Sequence, residues 1–206
     1  METNNPVVFV VDDDEAICES LRLLIRDIGL EVRTFTSARR FLEEYDSSHP
    51  GCLVLDVRMS GMSGLELQAR LNEMGIHIPT IIITGHADVP MAVEAMKAGA
   101  TDFIEKPFRD QVLLDSIQKA IDLDLRIRRQ RQEHQDVQAR LQQLTQRERE
   151  VMDRLVAGKS NKNIAFELGI SQKTVDFHRA NILDKIGVGS VVELVRLVQK
   201  ASGGRQ

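Results

Sequence analysis

The sequence predicts an α/β domain built on a doubly wound, five-stranded parallel sheet. A small all-α unit of four helices follows it, and a long helix joins the two. Three observations carry this reading. From Val7 to about Phe108, short apolar runs alternate with stretches of helical period, as successive right-handed βαβ units require. Runs such as Val7-Val8-Phe9-Val10-Val11 show no polar alternation, as expected of strands covered on both faces. Charge also divides the chain. Residues 1–125 hold 11 Lys/Arg against 22 Asp/Glu, a net of −11, while residues 126–206 hold 16 against 9, a net of +7. An acidic half followed by a basic half implies two domains, the second able to meet a polyanion.

Taken in order, the strands are expected at Val7–Val11, Glu31–Phe35, Cys52–Leu55, Thr80–Ile83 and Asp102–Ile104. The helices between them are expected at Glu15–Ile28, Ala38–Tyr45, Gly64–Met74 and Pro90–Ala98. Gly29, Gly75 and Gly99 fall where a helix must stop. Five strands in this pattern fit the flavodoxin-like order 2-1-3-4-5, whose ligand crevice lies at the carboxyl ends of strands 1 and 3. From Phe108 the helical period continues to about Leu144 without Gly or Pro. Its seam reads Leu113, Ala120, Leu123, Ile127, Val137, Leu141 and Leu144, with Gln130 and His134 as polar breaks. Two readings stay open: a last sheet-packing helix followed by a solvated linker, or one long helix whose distal half pairs with a second copy. The domains are therefore placed at 5–122 and 144–203, with a helical linker at 123–143.

Residues 145–200 read as four helices. Thr145-Gln146-Arg147-Glu148 is a capping box. Asn161–Leu168 is a second helix. Gly169-Ile170-Ser171 makes a tight turn with Ser171 as N-cap, and helices at Lys173–Ile186 and Val191–Gln199 follow.

Composition excludes several classes. An apolar fraction of 42% with 28% charged residues is that of an ordinary globular chain. No apolar run approaches the roughly 18 residues that span a bilayer, so no membrane partner is expected. The N-terminus has neither the basic start nor the apolar stretch of a signal peptide, so a cytoplasmic location is expected. Cys18 and Cys52 are then buried thiols in a reducing compartment, not a disulfide.

The chemistry gathers at strand ends. Val10-Val11-Asp12-Asp13, Leu53-Val54-Leu55-Asp56 and Ile81-Ile82-Ile83-Thr84 each finish an apolar strand in a carboxylate or hydroxyl, and Asp102-Phe103-Ile104-Glu105-Lys106-Pro107 ends in an ammonium. At one sheet edge these make three carboxylates, a hydroxyl and an ammonium. That set suits a hard divalent cation, Mg²⁺ or Mn²⁺, with Asp12, Asp13, Asp56 and the Arg58 carbonyl as oxygen donors. Three carboxylates without a cation would repel one another. Asp56, alone at the centre of the edge, is the expected phosphoryl acceptor. Lys106 would balance charge on the transferring phosphoryl group, and Thr84 would donate to one of its oxygens. Arg58 and His86, each two residues past a site residue, are expected to flank the group.

Residues 5–122 resemble the receiver domain of two-component response regulators. The resemblance rests on Val11-Asp12-Asp13, Leu55-Asp56-Val57-Arg58-Met59, Thr84-Gly85-His86 and Lys106-Pro107-Phe108. It implies that a sensor histidine kinase phosphorylates Asp56, and that Asp13 and Asp56 bind Mg²⁺. It also implies that Thr84 and Phe103 form the switch, and that the Lys106-Pro107 bond is cis. One departure is Ser60, where relatives usually carry proline, and a looser loop after Asp56 is expected from it. A haloacid-dehalogenase-type phosphatase would need a second Asp two residues after the nucleophile, where this chain has Arg58.

In the basic half, the expected third helix turns Val175, Ile182 and Ile186 to a core. It turns Lys173, Phe177, Ala180, Asn181 and Asp184 away, with Thr174, Asp176 and Arg179 flanking them. Phe and Ala suit thymine methyls and Asn suits adenine. Lys162, Ser171, Lys173, Thr174 and Arg179 suit phosphates, and Asp176 beside them is counted with the expected DNA-binding residues. His178 is expected at the core edge as a structural residue. Leu144 to Val151, Asn161 to Ala165 and Ser171 to His178 resemble the LuxR-type helix-turn-helix of the FixJ/NarL family. That implies promoter DNA as a partner, with Val191, Leu194, Val195 and Val198 as a dimer surface. The combined resemblance is to a phosphorylation-switched regulator that dimerises and activates transcription through RNA polymerase. The alternative is a constitutive DNA binder whose receiver accepts no phosphate.

Overall fold

A computed structural model describes residues 5–86 and 88–202. The chain forms two compact units that divide between Arg128 and Arg129. In the first, β1 (Val7–Val11), β2 (Glu31–Phe35), β3 (Gly51–Asp56), β4 (Thr80–Thr84) and β5 (Asp102–Glu105) form one parallel sheet of order β2-β1-β3-β4-β5. The helices α1 (Glu15–Asp27), α2 (Ala38–Glu44), α3 (Gly64–Glu73) and α4 (Val89–Lys97) connect them, and α5 (Asp110–Gln142) follows β5.

The unbroken apolar strands now have their explanation. Val7, Phe9 and Val11 of β1 enter one core with Phe35, Phe41, Leu67, Leu71 and Ala95, under α2, α3 and α4. Val8 and Val10 enter another with Cys18, Leu21, Ile25, Leu113 and Ile117, under α1 and α5. Period-two alternation sends successive side chains to opposite faces, and both faces are dry. Phe9 is packed edge-on by Phe41 and Tyr45, with ring centroids 5.9 and 5.3 Å away.

Local signals set the ends. Asp14 caps α1 by accepting from the Ala16 amide at 2.8 Å. Ser63 and Glu66 form a capping box on α3. Each of the first four helices stops one residue short of its expected end, because Ile28, Tyr45, Met74 and Ala98 are C-caps. β3, β4 and β5 run one residue further than expected, into the residues at the sheet edge. Gly51 is required by close approach, since a Cβ there would lie 1.8 Å from the Val7 carbonyl oxygen. Residues 110–142 form one continuous helix, and no described helix is long and apolar enough to cross a membrane.

The second unit holds α6 (Gln146–Val156), α7 (Asn161–Leu168), α8 (Gln172–Ile186) and α9 (Val191–Ser202). Its core is Leu144, Val151, Leu155, Ile164, Ala165, Val175, Ile182, Ile186 and Leu194, with Leu141 of α5 packed against it. Glycines 169 and 187, at φ +64° and +74°, end α7 and α8 as left-handed caps. Residue 203, the last of the expected domain, lies outside the described residues.

Candidate functional site

At the carboxyl edge of the sheet, β1, β3, β4 and β5 deliver Asp12, Asp56, Thr84 and Lys106 to one place. The Lys106 amide donates to the Thr84 carbonyl at 2.8 Å, which carries the chain past β5 beside β4. Lys106 Nζ then donates to Asp12 Oδ2 and Asp56 Oδ1, each at 2.8 Å. Asp12 and Asp56 are buried, at 2% and 6% exposure, and Thr84 is fully buried. Asp56 Oδ2 accepts the Arg58 amide at 2.6 Å. Asp12 Oδ1 accepts the Asp14 amide at 3.0 Å. Burial raises the Asp12 carboxyl above its ordinary range, and the Lys106 hydrogen bond only partly opposes this. Burial also works against the Lys106 ammonium, but hydrogen bonds to Asp12 and Asp56 outweigh it and raise its pKa.

Thr84 Oγ1 accepts the His86 amide at 3.3 Å, which leaves the hydroxyl hydrogen available to donate. Phe103 is half-buried against the core under α4, opposite Ile82 on the neighbouring strand. Arg58 and His86 are exposed. Arg58 enters the recorded geometry through its amide. The Lys106-Pro107 bond is cis.

Asp13 stands apart. Its Oδ2 accepts the Ser60 amide at 2.7 Å. Among the described residues, no three His, Cys, Asp or Glu side chains close on one point as a ready cation site. The donor chemistry nevertheless fits a hard cation. Two buried carboxylates share one ammonium, Asp13 adds a third carboxylate at the rim, and each acid brings only oxygen. At Ser60 the non-proline residue supplies an amide that ties its loop to the one after β1.

In the second unit, the first turn of α8 is anchored twice. Ser171 Oγ accepts the Thr174 amide at 3.0 Å and meets Thr174 Oγ1 at 2.8 Å. Asp176 accepts from Asn161 Nδ2 at 2.6 Å, so its carboxylate braces α7 against α8. The face expected to point outward does so. Phe177 is 63% exposed, Lys173, Ala180 and Asp184 are exposed, and Thr174, Arg179 and Asn181 are half-buried. Lys162 on α7 is exposed, and neither it nor Lys173 enters an ion pair among the described residues. His178 packs edge-on against Phe177, with centroids 5.9 Å apart. At the far end of α8, Arg140 Nη1 donates to the Ile186 carbonyl at 3.0 Å.

The response regulator receiver domain family matches residues 8–118, and the luxR family of bacterial regulatory proteins matches residues 142–198. The chain belongs to the two-component response regulators with a LuxR-type DNA-binding domain. It is 47% identical to the transcriptional regulatory protein FixJ of Azorhizobium caulinodans over 190 residues, covering 92% of this chain and 90% of that protein. It is 44% identical to the response regulator TmoT of Ectopseudomonas mendocina over 200 residues, covering 97% and 91%. Among solved structures, the response regulator StyR matches with a TM-score of 0.88 at 47% identity, covering 95% of this chain and 99% of that one. Full-length FixJ from B. japonicum matches at 0.60 and 43%, covering 98% and 99%. This response regulator is thus a two-component transcriptional regulator, and receivers of its kind bind Mg²⁺ at the phosphorylation site.

One expected assignment needs correction. Leu194 is fully buried in the helical core, so its side chain is taken by packing within the chain and offers nothing to a dimer surface. Val191 and Val198 are partly buried against the same core, Val195 is half-buried, and the exposed valine of α9 is Val192, at 62%. Two further features escaped the reading of the sequence. Phe166 is 89% exposed on α7. The Ser60 amide left no side-chain signal at all.

Proposed function

We propose that a sensor histidine kinase phosphorylates Asp56, and that the phosphorylated chain binds promoter DNA as a dimer and activates transcription through RNA polymerase. The observation that carries this is Lys106 Nζ at 2.8 Å from both Asp12 and Asp56. The ammonium keeps a buried carboxylate company and stands where charge on a transferring phosphoryl group develops. An Asp56 oxygen attacks the phosphorus of the kinase's phosphohistidine. The P–N bond breaks, a P–O bond forms, and the imidazole leaves with the electron pair and takes a proton from water. Mg²⁺ or Mn²⁺, held by Asp12, Asp13, Asp56 and the Arg58 carbonyl, supplies charge neutralisation and orientation when bound.

The acyl phosphate adds charge to an edge that already holds two buried carboxylates. Thr84 can turn its free hydroxyl hydrogen toward a phosphoryl oxygen, and the space it leaves is on the side of β4 that Phe103 borders. Those two residues thereby bias the face of α4, β5 and α5. Arg58 and His86, both exposed at the rim, flank the phosphate and tune its lifetime.

On the output side α8 enters the major groove. Phe177, Ala180 and Asn181 meet base edges, while Lys162, Ser171, Lys173, Thr174 and Arg179 meet phosphates. A dimer reads two half-sites of matching symmetry, and Val191, Val195 and Val198 of α9 lie toward the partner.

The test is acetyl phosphate with Mg²⁺, followed by intact mass and promoter affinity. Wild type gains one phosphoryl group and binds more tightly, while Asp56→Asn does neither. Equal promoter affinity of the two proteins would replace this reading with the constitutive one.

A further inference from the structure

We infer that the backbone amide of Ser60 is a latch on Asp13 that competes with a divalent cation for this carboxylate and sets the cation affinity of the phosphorylation site. The inference rests on the reading that the site takes a divalent cation, and it concerns what the chain does to that step.

Asp13 and Ser60 sit on different loops, one after β1 and the other between β3 and α3. The 2.7 Å bond from the Ser60 amide to Asp13 Oδ2 bridges them across 47 residues of sequence. This bond uses an oxygen that a cation would want. It also accounts for the geometry of the acids. Asp12 and Asp56 are drawn together by one ammonium, while Asp13 is directed to the Ser60 loop, and the three do not close on one point. Asp13 is exposed and the other two are buried, so Asp13 is the acid free to move between an amide and an ion.

The Ser60 loop can give way. Ser60 and Gly61 line an open cleft with Ser37, Arg39, Met62 and Glu66. Gly61 turns at φ +82°, with nothing within 4 Å of where a Cβ would stand. An N–H to carboxylate bond is charge-assisted, and this one occupies part of the lone-pair capacity of Asp13. A cation must displace that amide or share the carboxylate with it, and either weakens net binding by about the worth of one hydrogen bond.

Two substitutions separate the amide from the side chain. Ser60→Pro removes the N–H, and Ser60 lies outside the left-handed region that a proline could not occupy. Ser60→Ala keeps the N–H. The full-length chain is titrated with MgCl₂ by calorimetry. Ser60→Pro should bind Mg²⁺ roughly ten- to a hundredfold more tightly than wild type, the range that one hydrogen bond to a charged group implies, and Ser60→Ala should match wild type. A folded Ser60→Pro within twofold of wild type, or weaker, overturns the latch. So does a Ser60→Ala that tightens as much as the proline variant.

A second readout uses wild type alone and decides the matter if the proline variant fails to fold. The Ser60 ¹H–¹⁵N signal should move toward weaker hydrogen bonding, and its amide exchange should speed up, as Mg²⁺ saturates. A static signal overturns the inference. If wild type takes up no Mg²⁺ at all, the cation reading itself falls and the latch with it. Uptake with an indifferent Ser60 sinks the latch alone.

Discussion

Lys185 Nζ and Glu148 Oε2 stand 2.7 Å apart, joining the last turn of α8 to the first turn of α6. The same carboxylate oxygen accepts the Thr145 amide at 2.9 Å and the Thr145 hydroxyl at 3.0 Å. Glu148 is therefore both the capping-box partner of α6 and the counter-ion of Lys185 on α8. Burial alone would raise its carboxyl, but Lys185 and Thr145 outweigh burial and hold it below the ordinary range. A depressed folded-state pKa contributes stability that is present above the unfolded value of about 4.3 and is lost as pH falls through the folded one. The helical unit should thus begin to lose stability below about pH 4.5. Glu148→Ala should flatten that acid limb and cost about 2–4 kcal/mol at neutral pH, by stranding Lys185 and opening the cap. Glu148→Gln, which can still accept from Thr145, should cost less. Urea unfolding followed at several pH values checks both.

Lys106→Ala makes the complementary test in the receiver. It leaves Asp12 and Asp56 buried without their cation, which should cost about 3 kcal/mol at pH 8. Asp12 already has a raised carboxyl, and losing the ammonium raises it further. A raised acid penalises folding in full above its folded pKa and not at all below the unfolded one, about 3.9. The variant should therefore recover stability as pH falls through the raised Asp12 pKa toward about 3.9, and Mg²⁺ should raise its thermal midpoint more than that of wild type. Thermal unfolding over this pH range with and without MgCl₂ reads each effect. A variant equally destabilised across this range would show that the ammonium acts through packing alone.

Gly64 ties the fold to Asp56. It opens α3, and a Cβ on it would lie 2.2 Å from the Asp56 carbonyl oxygen. The two nearest atoms are both Asp56 backbone, so α3 or the end of β3 must shift. Gly64→Ala should destabilise the receiver by more than about 2 kcal/mol. In whatever fraction folds, phosphorylation from acetyl phosphate should slow, because the displaced atom belongs to Asp56 itself. An alanine variant with wild-type midpoint and phosphorylation rate would contradict the close approach.

How much of this was legible beforehand depends on where the information sits. Strand order, core faces and the residues at the sheet edge were readable because period and chain position encode them, and Asp12, Asp56, Thr84 and Lys106 follow directly. Element ends slipped by one residue because a cap and a last helical turn share the same composition. Leu194 was misread because α9 carries more apolar positions than its core contact needs, and period alone does not rank them. The bond from Ser60 was missed for a deeper reason. Its role belongs to a backbone N–H, which every residue but proline carries, so its partner 47 residues away leaves no mark on side-chain chemistry. The Lys185–Glu148 pair, 37 residues apart, was hidden likewise, since the sequence holds many other acid–base combinations.

Phe177 and Lys173 separate sequence readout from general attraction on the face of α8. Phe177 is 63% exposed, so Phe177→Ala removes little buried apolar area and should change stability by less than about 0.5 kcal/mol. If its ring meets a thymine methyl, the same change should weaken promoter binding by about 1–3 kcal/mol and leave binding to unrelated DNA nearly untouched. Lys173, exposed and outside any ion pair among the described residues, should behave in the opposite way. Lys173→Ala should weaken both DNAs alike and reduce the slope of log affinity against log salt by about one. The experiment is binding of the phosphorylated chain to promoter and scrambled duplexes across a salt series. Equal loss on both duplexes for Phe177→Ala would mean that its ring does not read bases. Retention of promoter affinity by both variants would move the DNA contact off this face of α8 altogether.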